Sequence, residues 1–254
     1  MHVEFIPIET EIKKDKFDLF ETIIRSIERN EEQVFDTDII VISSKFVAIS
    51  QGSVVELNTV KPSEKAVKLA KKFNMDSRFA ELVIQESDYI FNGIEDFILT
   101  IKDGVLAPNA GIDKSNTPQG FVILHPRNTF SVARTLRQKF LTNMDKQVGI
   151  LITDSRLMPT RIGTIGVAVA VAGFEPVEDL RGKLDLFGNI LRVTLKAKAD
   201  SIATAANMLM GESNESIPIV IVRNLNIRKS DKTFNWKDLS ISHDQCIFVR
   251  GLKD

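Results

Sequence analysis

A single cysteine, Cys246, stands in 254 residues, which excludes an internal disulfide and removes the usual mark of a secreted fold. Neither sign of charge is in excess. Lys and Arg number 33 and Asp and Glu 34, for a net charge of −1, so no basic surface advertises nucleic acid or an anionic membrane. Long hydrophobic runs are missing, and the longest obvious tract, Val167 to Ala172, is far too short to span a bilayer. Glu4, Glu9 and Glu11 interrupt the first apolar stretch, which argues against a signal peptide. Repeats, low-complexity tracts and Gly/Ser linkers are also lacking. Apolar residues make up 43% and charged residues 26%, near the averages for a soluble globular protein. A chain of this length can bury roughly 70–75% of its unfolded surface, so it needs no metal merely to fold. The expectation is one cytoplasmic unit over residues 1–254, with no nucleic-acid or membrane partner.

What is present is an interleaving of strand and helix patterns, which predicts a mixed α+β class with two interlocked subdomains. Val3 to Ile8 is β-rich and stops at Pro7 and the charged stretch after it. Phe20, Ile23, Ile24 and Ile27 form a helical stripe with Asp15 as its cap. Asp38 to Ser43 reads as a buried strand, and Pro62 opens a helix carrying Ala66, Leu69, Ala70 and Phe73. Phe79, Leu82 and Val83 suggest a second short helix. Asp103-Gly104 between Phe97–Ile101 and Val105 is a hairpin signal, and Phe121 to Leu124 is another strand. Thr129 caps a helix with Ala133, Leu136 and Phe140, followed by a strand from Val148 to Ile152. Glycines then concentrate at Gly163, Gly166, Gly173, Gly182 and Gly188. Ile190 to Leu195 reads as a strand, Asp200 to Met210 as an alanine-rich helix ended by Gly211, and Ile219–Val222 and Ile247–Val249 as closing strands.

The familiar catalytic signatures are absent. There is no Walker A loop, no Gly-x-Gly-x-x-Gly after a strand and no Gly-x-Ser-x-Gly elbow, and His2, His125 and His243 show no zinc spacing. Cys246 reads as a small buried hydrophobe. Acids at element ends are more informative. Asp154, with Ser155, follows a β-rich run and would be delivered to a sheet edge. Asp113 lies just past the hairpin, and Glu212 follows the alanine-rich helix. Such oxygens suit a hard divalent ion, although taken singly each acid reads as a cap or turn residue.

Several of these stretches, taken in order, carry a family likeness. They are Asn109-Ala-Gly-Ile-Asp-Lys-Ser-Asn116, Ile152-Thr-Asp-Ser155 with Arg161 and Gly163 following, and Asp179-Leu-Arg-Gly-Lys-Leu-Asp-Leu-Phe-Gly188. Ala199-Asp200, Asn207-Met-Leu-Met-Gly-Glu212 and Ile217-Pro-Ile-Val-Ile-Val-Arg223 extend them. Over roughly residues 3 to 225 the chain resembles the archaeal coenzyme F420-0:L-glutamate ligases. The resemblance implies a GTP-dependent enzyme that adds L-glutamate to a deazaflavin acceptor through an acyl phosphate. It implies two Mg²⁺ or Mn²⁺ ions, with K⁺ as a further cation. Asp113 and Asp154 would hold one divalent ion, and Ser155 and Glu212 the other. Ser44, Lys45, Asn116 and the loop Met210, Gly211, Glu212, Ser213, Asn214, Glu215, Ser216 and Ile217 would contact GTP. An intertwined homodimer with the site near its interface is also implied. The apolar segments Val3 to Ile8 and Cys246 to Val249 offer it strand edges.

The chain also departs from the family pattern. Where the family commonly has Ser-Lys-Ala-Glu-Gly after the second strand, this chain has Ala48-Ile-Ser-Gln-Gly52, so Ile49 stands in place of a nucleotide-contacting lysine. Thr10-Glu-Ile-Lys13 lies where Leu-Pro-Leu-Ile is usual, and His125-Pro-Arg-Asn128 replaces Asp-Pro-Asp. Lys13, Lys45 or Arg127 could restore positive charge. Two alternatives therefore accompany the ligase reading: a paralogue joining a different acid to a different amine, and a non-catalytic nucleotide- and metal-binding relative.

Overall fold

The computed structural model describes residues 2–251 and has a mixed α+β architecture. In chain order, β1 (Glu4–Ile8), α1 (Leu19–Arg29), β2 (Ile39–Ser43), α2 (Ser44–Ser50) and β3 (Val54–Glu56) come first. The middle holds α3 (Glu64–Phe73), α4 (Ser77–Glu86), β4 (Tyr89–Ile94), β5 (Phe97–Lys102), β6 (Val105–Pro108) and β7 (Phe121–Ile123). Then follow α5 (Thr129–Met144), β8 (Gly149–Leu157), β9 (Thr164–Ala172), β10 (Val177–Asp179), β11 (Leu195–Ala197), α6 (Lys198–Met210), β12 (Ile219–Arg223) and α7 (Ile247–Gly251).

The main sheet has the order β1-β12-β2-β8-β9, with β2 and β8 parallel and the other neighbours antiparallel. Ile39 to Ile42 and Ile219 to Val222 are buried without alternation, which requires cover on both faces of the central strands. Helices α1, α5 and α6 supply apolar residues to that core. Among them Phe20 and Phe140 meet edge to face with ring centres 5.2 Å apart. A second core, centred on Phe79, Val83, Ile98 and Val122, lies within residues 55–124. It is built on β4-β5-β6, the β3-β7 pair and the helix pair α3–α4.

The predicted elements recur with instructive shifts. The cap of α1 is Asp18 rather than Asp15, its carboxylate accepting from the Glu21 amide at 2.9 Å. Asn128, not Thr129, caps α5; Thr129 is the first helical residue and its hydroxyl donates to the Val169 carbonyl at 3.3 Å. β1 runs through Pro7 because it is an edge strand, where a missing N–H can face solvent. Asp103 and Gly104 both have positive φ, as a two-residue hairpin turn requires. The strand predicted at Ile190 to Leu195 is displaced to β11; Ile190 makes only a lone bridge to Leu184. Ile247 to Val249 is helical, because its backbone is satisfied locally: the Arg250 amide donates to Cys246 O at 2.8 Å, with no strand edge engaged. Cys246 itself is only partly buried.

Two features of β8 and β9 position the site. β2 pairs with β8 only as far as Thr153, and beyond it β8 and β9 continue as a two-stranded ribbon bearing Asp154 and Ser155. Asp154 is thus held within a long strand rather than following a short one. A register shift leaves Val169 as the extra residue of a bulge opposite Ile152 and Thr153. Next to the ribbon, α6 packs so closely that a Cβ on Gly166 would lie 2.3 Å from the Ala203 carbonyl oxygen. That contact sets the height at which α6 delivers Glu212. Gly166→Ala is expected to force the helix off the ribbon and to cost about 3 kcal/mol, the upper end for overpacking. Urea denaturation of the purified variant checks this.

Candidate functional site

A cleft of about 430 Å³ opens where the parallel pairing of β2 with β8 ends, at Ser43 and Thr153. Strand ends of a parallel pair are a common place for ligands, because the chain must turn away from the sheet there. β2 turns directly into α2, bringing Ser44, Lys45 and Ile49 to the wall. β8 brings Thr153, Asp154 and Ser155; the end of α6 brings Met210 and the loop to Ile217; and the segment after the hairpin brings Asp113 and Asn116. Every residue expected to hold metal or nucleotide lines this one cleft. Thr10 to Lys13 line it as well. Arg127 is exposed, and its backbone is held by Gln51.

Direct contacts tie these segments together. The Ser44 hydroxyl donates to Asp154 Oδ1 at 2.6 Å. Lys45 Nζ reaches Asp113 Oδ2 at 2.7 Å and Ser115 Oγ at 2.9 Å, while the Ser115 amide donates to Asp113 Oδ1 at 2.6 Å. Asn116 Nδ2 donates to the Ser213 carbonyl at 2.6 Å, closing the cleft over the 210–217 loop. Ser155 Oγ donates to Glu212 Oε1 at 2.5 Å, joined there by Thr164 Oγ1 at 3.1 Å and Asn207 Nδ2 at 3.4 Å.

Beneath these residues lies a pair that sequence reading passed over. Arg156 is two residues beyond Asp154 on the same strand, hence on the same face, and its Nε lies 2.6 Å from Asp154 Oδ2. The Arg156 side chain is only 6% exposed, and its Nε and Nη1 lack an aligned hydrogen-bond acceptor. His125 is equally enclosed with Nδ1 unpartnered, and a Cβ on Gly111 would meet both side chains. The signal that could have exposed Arg156 was the period-2 spacing from Asp154, had the strand been extended past Ile152. Burial would raise the Asp154 carboxyl, but Arg156, with the Ser44 hydroxyl and the Ser155 amide, holds it below its ordinary value. Burial drives His125 the other way, down to about 4, against the pull of Asp154, so the imidazole is neutral at pH 7.

Donor chemistry divides the expected metal ligands. Asp154 and Asp113 each face a protein cation, whereas Glu212 is held by neutral hydroxyl and amide groups. The Glu212–Ser155–Thr164 corner therefore fits a hard divalent ion, and the Asp154–Asp113 side fits one only after its ion pairs give way. Among the described residues no three His, Cys, Asp or Glu side chains converge as a ready-made cage.

Ile49 lies one helical turn beyond Lys45, half-buried in the cleft wall on α2, not within a strand. A lysine there could extend its amine into the cleft. Ile49→Lys is accordingly expected to fold, with a melting temperature within about 4 °C of the parent, a change on the order of 1 kcal/mol. Thermal unfolding followed by circular dichroism tests this.

Comparison with known proteins agrees with the order of motifs. The family described as F420-0:Gamma-glutamyl ligase matches residues 7–224. The chain is 35% identical to the coenzyme F420:L-glutamate ligase of Archaeoglobus fulgidus over 254 residues, covering 100% of this chain and 99% of that one. It is 34% identical to the enzyme of that name from Methanopyrus kandleri (89% and 87% covered) and 37% identical to that from Methanocaldococcus jannaschii (76% and 77% covered). With the match running through every segment that builds the cleft, the chain belongs to the F420-0:gamma-glutamyl ligase family.

Proposed function

We propose that this protein is a GTP- and divalent-metal-dependent ligase of coenzyme F420 biosynthesis that joins L-glutamate to coenzyme F420-0 in the cytoplasm. The observation that carries the reading is the convergence of the cleft. Chain segments far apart in sequence bring oxygen ligands, one lysine and a polar loop to a single pocket, in a chain that matches named ligases over most of its length.

The chemistry follows from the substrates. A carboxylate cannot be displaced by an amine directly, because hydroxide is too poor a leaving group. The acceptor carboxylate oxygen therefore attacks the γ-phosphorus of GTP, the bond to the β–γ bridging oxygen breaks, and GDP leaves with that electron pair. The glutamate amine then attacks the acyl carbon of the acyl phosphate. The C–N bond forms, phosphate departs with the C–O electrons, and the amine proton passes to solvent. Lys45 supplies positive charge beside the phosphates once released from Asp113. Asn116 and the 210–217 loop hold the nucleotide, and His125 with Pro126 walls the cleft against water at its base. A divalent ion held at Glu212 and Ser155 would neutralise phosphoryl oxygens, and K⁺ would act as a monovalent companion.

Assembly as an intertwined homodimer belongs to the same proposal, and an apolar arm supports it. Between β9 and β11 the chain exposes Leu186, Phe187 and Val193, and the β8–β9 connection exposes Ile162, each at least 85% exposed. Such a run is a candidate for burial against a second copy. β1 remains available as a sheet edge, whereas the Cys246 to Val249 segment, being helical, offers none. Among the described residues no helix is long and apolar enough to cross a membrane.

A paralogue acting on a different acid acceptor is the second reading. It is favoured by the cleft wall itself, where Ile49 and His125 stand in place of charged residues usual in the family.

Incubation with F420-0, L-glutamate, GTP and Mn²⁺ should yield one glutamyl addition by mass spectrometry, at least a hundredfold reduced in Asp113→Asn. Product only from other acids would select the paralogue; GTP binding with no product from any acid would select a binding protein. In calorimetry, Ile49→Lys should tighten GTP binding several-fold. Light scattering should give about twice 28.5 kDa, falling to the monomer in Phe187→Asp.

A further inference from the structure

The charge pattern inside the cleft is uneven in a way that the expected two-ion complement does not explain. Both oxygens of Asp154 are taken, Oδ1 by the Ser44 hydroxyl and Oδ2 by the Arg156 guanidinium. Both oxygens of Asp113 are taken as well, by Lys45 and the Ser115 amide. Glu212 differs. Its three contacts, from Ser155, Thr164 and Asn207, all fall on Oε1, none comes from a cation, and among the described residues none falls on Oε2. Of the three expected carboxylate ligands, all of which line the cleft, only Glu212 thus has no protein cation beside it and keeps an oxygen without a contact among the described residues.

The two protein cations are not equivalent. Lys45 is 25% exposed on a flexible stem and can swing away from Asp113. Arg156 is 6% exposed, lies on the rigid β8–β9 ribbon and is roofed by the backbone of Gly111, so it has nowhere to withdraw. A guanidinium keeps its charge at any accessible pH. Two of its donors have no aligned acceptor, so the group is poorly satisfied where it sits, and its hold on the fold comes chiefly through the charge of Asp154. A divalent ion on Asp154 would have to approach this fixed charge within a buried site, where repulsion is weakly screened.

We propose that Arg156 is a resident cation of the site. It stands beside Asp154 in place of a second metal ion, so the chain takes one divalent ion, bound through Glu212 and Ser155. Arg156 is then a positioning residue. It fixes the Asp154 carboxylate and through it the Ser44 hydroxyl, and it keeps the cleft floor neutral whether or not metal is present. The inference rests on the reading that the cleft binds a divalent ion together with its nucleotide.

The test counts Mn²⁺ per chain. Full-length protein saturated with a non-hydrolysable GTP analogue is titrated with Mn²⁺, and the free-ion signal is followed by electron paramagnetic resonance. One ion per nucleotide is expected for the wild type and for Arg156→Lys, which keeps the charge. Arg156→Gln should rise to two by freeing Asp154, and Glu212→Gln should lose the ion that the wild type holds. Because Arg156→Gln leaves the Asp154 carboxylate without its cation and could unfold, the double variant Arg156→Gln/Asp154→Asn removes both charges and should return to one. A merely structural arginine would leave these counts unmoved. Two ions in the wild type, or one in a folded Arg156→Gln, overturns the inference while the metal-dependent ligase reading stands. No ion in the wild type overturns both.

Discussion

Parallel pairing of β2 with β8 sets Ser43 opposite Thr153, and from that register the cleft follows. One residue further on, β2 becomes α2 and presents Ser44 and Lys45, while β8 carries on and presents Asp154 and Ser155. The Ser44–Asp154 hydrogen bond at 2.6 Å bridges two positions 110 residues apart in sequence. A slip of one residue would turn Asp154 to the other face of the ribbon and part it from both Ser44 and Arg156. The unbroken burial of Ile39 to Ile42 and of Ile150 to Ile152 makes such a slip costly, since every residue in the overlap is packed. Packing of the central strands and the geometry of the cleft are thus one constraint seen at two ends of the same strands.

Against this paired frame the remaining walls are held by fewer and more local contacts. The 210–217 loop is held by side chain to backbone contacts, Asn116 to the Ser213 carbonyl and the Ser213 amide to Glu215. The Glu215 carboxylate folds back over Gly211, whose φ of +70° lies in the region that favours glycine at the turn after α6. Contacts of this kind open more readily than strand pairing.

Legibility in the sequence followed the range of the interactions. Local signals were readable: the Asp103-Gly104 turn, the stripe of α1 and the alanine-rich α6 with Gly211 after it. The acids were singled out by their position at element ends and given roles by the resemblance, and all of them line the cleft. Errors arose where tertiary context overrode propensity. Ile247 to Val249 is β-rich in composition yet helical, because no strand edge is there to pair with it. β8 was read as ending at Ile152 because polar residues follow, but pairing with β9 carries it to Leu157. That error hid Arg156, whose meaning depends on lying in the same strand as Asp154.

The pair of Arg156 and Asp154 also bears on the altered His125 beside it. His125 sits against the same buried charges, and burial keeps it neutral, so it adds no charge to the floor that Arg156 and Asp154 already balance. Ile49 and Pro126 add apolar surface above it. Elsewhere in the lining Lys13 pairs with Glu11 at 3.1 Å and Lys45 with Asp113 at 2.7 Å, so among the described residues Glu212 and Glu215 are the lining carboxylates with no protein cation beside them. Positive charge on an incoming group is best matched there, whereas Ile49 and Pro126 better match a weakly charged face. The departures from the family pattern that line the cleft, Thr10 to Lys13, Ile49 and His125, therefore touch both its ionic and its apolar lining.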